Sequence, residues 1–178
     1  MPEETLSSEA ADAANLSSMQ RGQLAELIFM RKASSLGFSV SKPWGEGERY
    51  DVIIRMNEVF WRVQVKSVLG KSPCKSHYRI KTSGGNGSRK TYSPHEIDFL
   101  AGYIFKENLW YVFPATLIEN RKAICVRPGS KRSSFEQYRE AWSLVKPPVT
   151  EIALNGISLQ GVALETTSVE KTPIACRS

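Results

Sequence analysis

Val59-Phe60-Trp61-Arg62-Val63-Gln64-Val65-Lys66 is the stretch on which the fold turns. It follows Arg49-Tyr50-Asp51-Val52-Ile53-Ile54 after a tight turn at Met56-Asn57-Glu58. Both segments are rich in β-branched and aromatic residues, so Tyr50 to Met56 and Val59 to Ser67 read as the two strands of an antiparallel hairpin. Alternate side chains of a strand share a face. Arg62, Gln64 and Lys66 therefore point one way, while Trp61, Val63 and Val65 point the other way, into a core. The hairpin lays Asp51 beside Gln64 and Lys66.

Outward from the hairpin, Ser17 or Ser18 is placed to cap a helix running to about Ser35. Leu24, Ala25, Ile28, Phe29, Ala33 and Leu36 fall at helical spacing, and Gly37 ends the run. Glu26 lies in the middle of this helix, one turn after Gly22, whose missing side chain reads as room for a close neighbour. Phe38 to Ser41 reads as a short strand and Trp44 to Glu48 as a loop. His77 to Thr82 is a further strand, and Ser83 to Lys90 an exposed glycine-rich loop without the Gly-Lys-Ser/Thr ending of a P-loop. Phe99 to Phe105 and Trp110 to Phe113 pair around Lys106-Glu107-Asn108, and Ala123 to Val126 is one more strand. Ser133 to Leu144 shows helical spacing through Phe135, Tyr138, Ala141, Trp142 and Val145, with Pro147-Pro148 as its stop. The domain plan is a flexible segment over 1–17, a folded domain over 18–146 and a tail over 147–178.

A chain of 178 residues suits one domain with a tail or two. It has no apolar run that could span a membrane and no secretory leader pattern, so a cytoplasmic location is expected. The cysteines Cys74, Cys125 and Cys176 are scattered and odd in number, which fits reduced thiols. Cys74 and His77 have a zinc-like spacing, but no second pair completes a structural site. The net charge is +6 and is unevenly placed. Between Gln20 and Lys146, 22 Lys and Arg face 11 Asp and Glu, whereas the remaining residues carry 2 basic and 7 acidic side chains. A basic surplus in the folded part suits a polyphosphate partner, because each cation placed on a phosphate releases a condensed counterion.

The hairpin face carries the chemistry. Cleavage of a phosphodiester needs a divalent cation to offset charge on the phosphate and an activated water in line. Magnesium prefers hard oxygen ligands. Asp51 offers a carboxylate oxygen, Gln64 its amide oxygen, and Lys66 an ammonium to orient the water or stabilise the phosphate. Gln64 is neutral, so a second carboxylate is wanted, and Glu26 is the candidate. Singly, each residue has a plainer reading: Asp51 as an ion-pair partner of Arg49 or Arg62, Lys66 as a solvated strand end, Gln64 as structural. Together, within a basic field, they point to a nuclease.

At these residues the chain resembles the PD-(D/E)XK nuclease superfamily. It is similar in particular to the branch of group I intron-encoded homing endonucleases with Gln in the (D/E) position. The resemblance runs from Gln20-Arg21-Gly22-Gln23-Leu24-Ala25-Glu26 through Arg49-Tyr50-Asp51-Val52 and Arg62-Val63-Gln64-Val65-Lys66 to Ile97-Asp98-Phe99 and Trp110-Tyr111-Val112-Phe113-Pro114. Tyr50 stands where the family name has Pro. The resemblance implies an α/β, restriction-endonuclease-like core with a mixed β-sheet flanked by helices. It implies Mg2+- (or Mn2+-) dependent cleavage of double-stranded DNA, with Glu26, Asp51, Gln64 and Lys66 as catalytic residues and the first three as metal ligands. It also implies a homo-oligomer, dimer or tetramer, since cutting two strands takes two sites. Asp98 falls in the matched part with either a structural or a catalytic role. Lys71, Lys75, Arg79, Lys81, Arg89 and Lys90 form the expected DNA-facing set, with Arg89 or Lys90 placed to reach base edges. A structure-selective junction resolvase and a catalytically inactive DNA-binding protein are the alternatives.

Overall fold

The structure, a computed structural model, describes residues 8–45, 47–72, 76–84 and 90–146. Its elements are α1 (Ser8–Ala14), α2 (Ser18–Ser35), β1 (Ser39–Ser41), β2 (Val52–Met56), β3 (Val59–Val68), β4 (Tyr78–Lys81), β5 (Phe99–Ile104), β6 (Leu109–Pro114), α3 (Ala115–Ile118) and β7 (Ala123–Val126). Five strands form a mixed sheet in the order β1-β2-β3-β5-β6, and β4 pairs with β7 in a second, two-stranded sheet. β3 and β5 are parallel; the other neighbours in the large sheet are antiparallel.

Local chemistry explains the ends of α2. Ser17 and Gln20 form a reciprocal capping box that satisfies two backbone N–H groups at the first turn. Gly37, at φ +90, turns the chain out of the helix in a conformation that costs other residues. Ala25, Ile28, Phe29 and Ala33 of α2 are buried against the sheet. Phe29 meets Trp110 edge-on at 5.5 Å and lies near Trp142 at 5.8 Å. Truncating so well packed a ring to alanine costs about 3–5 kcal/mol.

The hairpin is as expected. Met56 pairs with Val59 across a two-residue turn, and Asn57 takes a left-handed φ of 55, which asparagine tolerates. Val63 and Val65 enter the core under α2. β5 is buried at every position because both faces are covered. Ala101 and Tyr103 join the α2 side of the core, while Leu100 and Ile104 join a second core with Tyr78 and Ile80 of β4. At Gly102 a Cβ would lie 2.7 Å from the Ile80 side chain, so the close approach of the two sheets requires glycine there.

Two expectations are corrected. Residues 1–17 are not all flexible: α1 spans Ser8–Ala14, with Ala10 and Ala13 buried in the core. Alanine has the highest helix propensity and packs by its methyl alone, so this helix carries no stripe of large apolar residues. Ser133 to Leu144 is not a continuous helix but two 3-10 turns, Glu136–Tyr138 and Trp142–Val145. The apolar spacing there serves packing: Trp142 and Val145 join the α2 side of the core, and Phe135 and Tyr138 pack on the other. The β6 edge outcompetes the helix for backbone hydrogen bonds. Tyr111 bridges Arg139, Glu140 N–H donates to Trp110 O at 2.9 Å, and the Glu140 carboxylate accepts from Trp110 N–H at 2.6 Å. Glu140 takes φ 48, incompatible with a helix. Pro147-Pro148 and the 147–178 tail lie outside the described residues.

Candidate active site

One open cleft, of about 390 Å³, brings together Glu26, Asp51, Gln64 and Lys66. α2 contributes Ser18, Gly22 and Glu26, four residues apart and so on one side of the helix. No neighbour lies within 4 Å of a Cβ built at Gly22, so this glycine keeps the cleft open and does not admit a close contact. β3 supplies Gln64 to Val68 to the cleft lining, and β4 supplies Arg79 and Lys81. The burial pattern of β4 explains them: Tyr78 and Ile80 are buried, which turns Arg79 and Lys81 outward.

Asp51 sits just before β2, with its N–H on Val63 O at 2.9 Å. Its Oδ2 accepts from Val65 N–H at 2.8 Å and from the Gln64 amide Nε2. Burial pushes the Asp51 carboxyl up to about 6. The Val65 hydrogen bond opposes that rise, the Glu26 charge adds to it, and Lys66 and Lys42 oppose it. Gln64 is only 5% exposed. Its amide nitrogen also donates to Val65 O, so its oxygen is the atom left for a ligand. Lys66 is without an ion-pair partner among the described residues and lies 5.4 Å from the centre of the Tyr92 ring.

Lys42 joins the site without having been read from sequence. Its Nζ donates to Glu26 Oε2 at 2.6 Å, and its charge reaches Asp51. Ser41 pairs with Ile53 across β1 and β2, which carries the next residue, Lys42, toward Asp51. Recognising that Phe38 to Ser41 pairs with the Asp51 strand would have found it.

Asp98 has a different role. It takes the Arg62 backbone N–H at 2.7 Å and the Arg62 guanidinium at 3.1 and 2.9 Å. Burial alone would raise its carboxyl, but these bonds and the guanidinium charge hold it below the usual carboxylate range. Of the expected DNA-facing residues, Arg79 and Lys81 line the cleft. Lys71 lies 5.7 Å from the Tyr78 ring centre, and Lys90 is bonded to Glu96 at 2.7 Å. Lys75 and Arg89 lie outside the described residues, as do Cys74 and most of the glycine-rich loop. Tyr138 and Trp142 pack inside, against Phe113 and Phe29.

Residues 16–145 match the PD-(D/E)XK endonuclease family. The chain belongs to that family. Among solved structures, a bacterial homing endonuclease, I-Ssp6803I, aligns with a TM-score of 0.66 and 28% identity, covering 73% of this chain and 93% of its own. MepB aligns with a TM-score of 0.33 and 18% identity, covering 61% of this chain and 83% of its own. No curated protein matches by sequence. The PD-(D/E)XK assignment makes the chain an endonuclease with a nucleic-acid substrate, on a mixed sheet flanked by helices. Among the described residues no three His, Cys, Asp or Glu side chains cluster as a metal site. The donor set still fits a hard cation: two carboxylates and an amide oxygen share the cleft, and Asp51 carries a charge that burial disfavours and a cation would stabilise. No described helix is long and apolar enough to cross a membrane.

Proposed function

We propose that this protein is a divalent-metal-dependent endonuclease that hydrolyses phosphodiester bonds of double-stranded DNA at a preferred site. The observation that carries this is the meeting of Glu26, Asp51, Gln64 and Lys66 in one cleft that Arg79 and Lys81 also line. Glu26, Asp51 and Gln64 would hold Mg2+ or Mn2+, all through oxygen. When bound, such a cation supplies charge neutralisation at the phosphate.

The remaining work falls to the side chains. Asp51 is held in place by Val65 N–H and the Gln64 amide, so its free oxygen faces the cleft in a fixed direction. Lys66 directs Nζ toward the attacking water and the phosphate, favouring the water's deprotonated form by proximity. The water passes a proton to solvent, its oxygen forms a new P–O bond as the ester P–O bond opposite it breaks, and the departing oxygen takes up a proton from solvent. Arg79 and Lys81 hold flanking phosphates and set register along the strand. Site preference draws support from the likeness to a homing endonuclease. The described residues of each chain bring these four side chains together in one cleft, so cutting both strands calls for a dimer or tetramer.

The test is to incubate the full chain with plasmid, genomic DNA and a four-way junction, with Mg2+, Mn2+ or EDTA. Discrete metal-dependent fragments from duplex DNA are expected. Cutting confined to the junction would replace site preference with structure selection. DNA binding without cutting in either metal would leave an inactive DNA-binding protein.

A further inference from the structure

We infer that Trp44 is a nucleic-acid contact, its indole stacking on a base of the DNA strand at the cleft rim. The inference rests on the endonuclease reading and goes further in naming how the DNA is gripped. Trp44 is fully exposed, at 103% of its reference area. Tryptophan is normally well buried. Here Trp110 and Trp142 are buried, and Trp61 is half-buried with its Nε1 bonded to Val145 O at 2.8 Å. The core therefore makes no use of Trp44.

Its place gives it a use. Lys42, Pro43 and Gly45 line a hollow of about 270 Å³ together with Glu26 and Asp51. Trp44 is thus flanked on both sides by residues that border the carboxylates of the site. The root of its loop is tied down by the 2.6 Å bond from Lys42 to Glu26, and Pro43 restricts the backbone before it. The indole stands in solvent beside that hollow, between Pro43 and Gly45 in the chain.

The occupant must suit a flat apolar ring beside a hollow that holds Glu26, Glu48, Asp51 and Lys42 and adjoins the cleft of Lys66, Arg79 and Lys81. Lys66, Arg79 and Lys81 border the cleft and call for an anionic partner. Nucleic acid unites phosphate charge with planar bases. An acidic peptide satisfies the charge of the cleft but brings no regular supply of rings. Aromatic side chains gain binding energy on exposed bases, and apolar wedges enter duplexes at unstacked steps.

The test titrates the full chain with duplex DNA in EDTA, so that binding is read without cutting. Tryptophan emission should be quenched in the wild type and not in Trp44→Ala. Trp44→Ala should bind about tenfold more weakly at unchanged melting temperature, and Trp44→Phe should retain most of the affinity. A duplex with one unpaired base should bind the wild type more tightly than a perfect duplex, and this advantage should vanish in Trp44→Ala. Wild-type binding with unchanged emission and equal affinity of Trp44→Ala would overturn the inference while leaving the endonuclease reading intact. A blue shift that follows protein concentration without DNA would assign the ring to a second copy and also overturn it. No DNA binding by the wild type would take down both.

Discussion

Asp51 and Asp98 occupy matching places on either side of β3. Each immediately precedes a strand that pairs with β3, and each donates its own backbone N–H to a β3 carbonyl: Asp51 to Val63, Asp98 to Arg62. Each carboxylate also accepts a β3 backbone N–H, from Val65 or from Arg62. They differ in what the second side chain brings. Asp98 receives a guanidinium and is held below the usual carboxylate range; Asp51 receives a neutral amide and is pushed up to about 6. One carboxylate is bonded to a cation within the protein, and the other feels Lys66 and Lys42 without a hydrogen bond to either. The same backbone device thus holds one carboxylate as a brace and leaves the other open for the proposed site, with Arg62 beside the first and Gln64 beside the second.

The largest effect that tests this contrast is on cleavage. Lys66→Ala or Asp51→Ala should lower the rate by about a thousandfold or more while duplex binding persists. Asp98→Asn should leave the rate per folded molecule within a few-fold. Cleavage assays beside gel-shift titrations check both, and binding lost together with cleavage would count against the catalytic roles.

The next effect is on metal affinity. A cation held by the Asp51 carboxylate, as proposed, would compete with its proton, whose affinity corresponds to a value of about 6. Mn2+ affinity measured by calorimetry should fall about tenfold per pH unit below that value and level off above pH 7. A flat profile between pH 5 and pH 7 would remove Asp51 from the metal shell.

Stability should respond with opposite signs. The folded value of Asp51 lies above its ordinary 3.8, so its contribution is full in acid and is lost as pH rises through about 6. Asp51→Asn should therefore stabilise the metal-free fold at pH 8, by at most about 3 kcal/mol and seen as a higher melting temperature, and do little at pH 4. Asp98 lies below its ordinary value, so its contribution is present above that value and lost on acidification. Asp98→Asn should cost about 1–3 kcal/mol at neutral pH. Equal signs in thermal melts would erase the distinction between brace and site. The smallest effect is expected at Lys42. Lys42→Met removes a resident cation from Glu26, and Mn2+ should then bind about threefold to tenfold more tightly. Unchanged or weaker Mn2+ binding would mean that Lys42 does not compete for the carboxylates.

The hairpin was legible because its chemistry is local. Period-two alternation from Trp61 to Lys66 and a short turn at Asn57 place Gln64, Lys66 and Asp51 with no knowledge of the rest. Glu26 was legible from the lack of a second acid in the hairpin. Lys42 was not, because its approach depends on β1 pairing with β2, a relation between segments that neither segment states alone. The helix expected over Ser133 to Leu144 failed for a similar reason. Its apolar spacing is real, but Glu140 bonds to Trp110, thirty positions away along the chain. α1 escaped notice because Ala10 and Ala13 pack without the bulk that a periodic pattern registers.

Glu140 also limits how copies of this chain can assemble. An outer strand with unpaired backbone groups is a template on which a second molecule can extend the sheet. At β6 the N–H and carbonyl of Trp110 are already taken by Glu140, and Tyr111 is bridged by Arg139. Joining two sheets end to end along this margin would first require that segment to peel away. Substitutions at Glu140 that free Trp110 would create an adhesive edge, and their first sign would be precipitation at high protein concentration, before any change at the cleft.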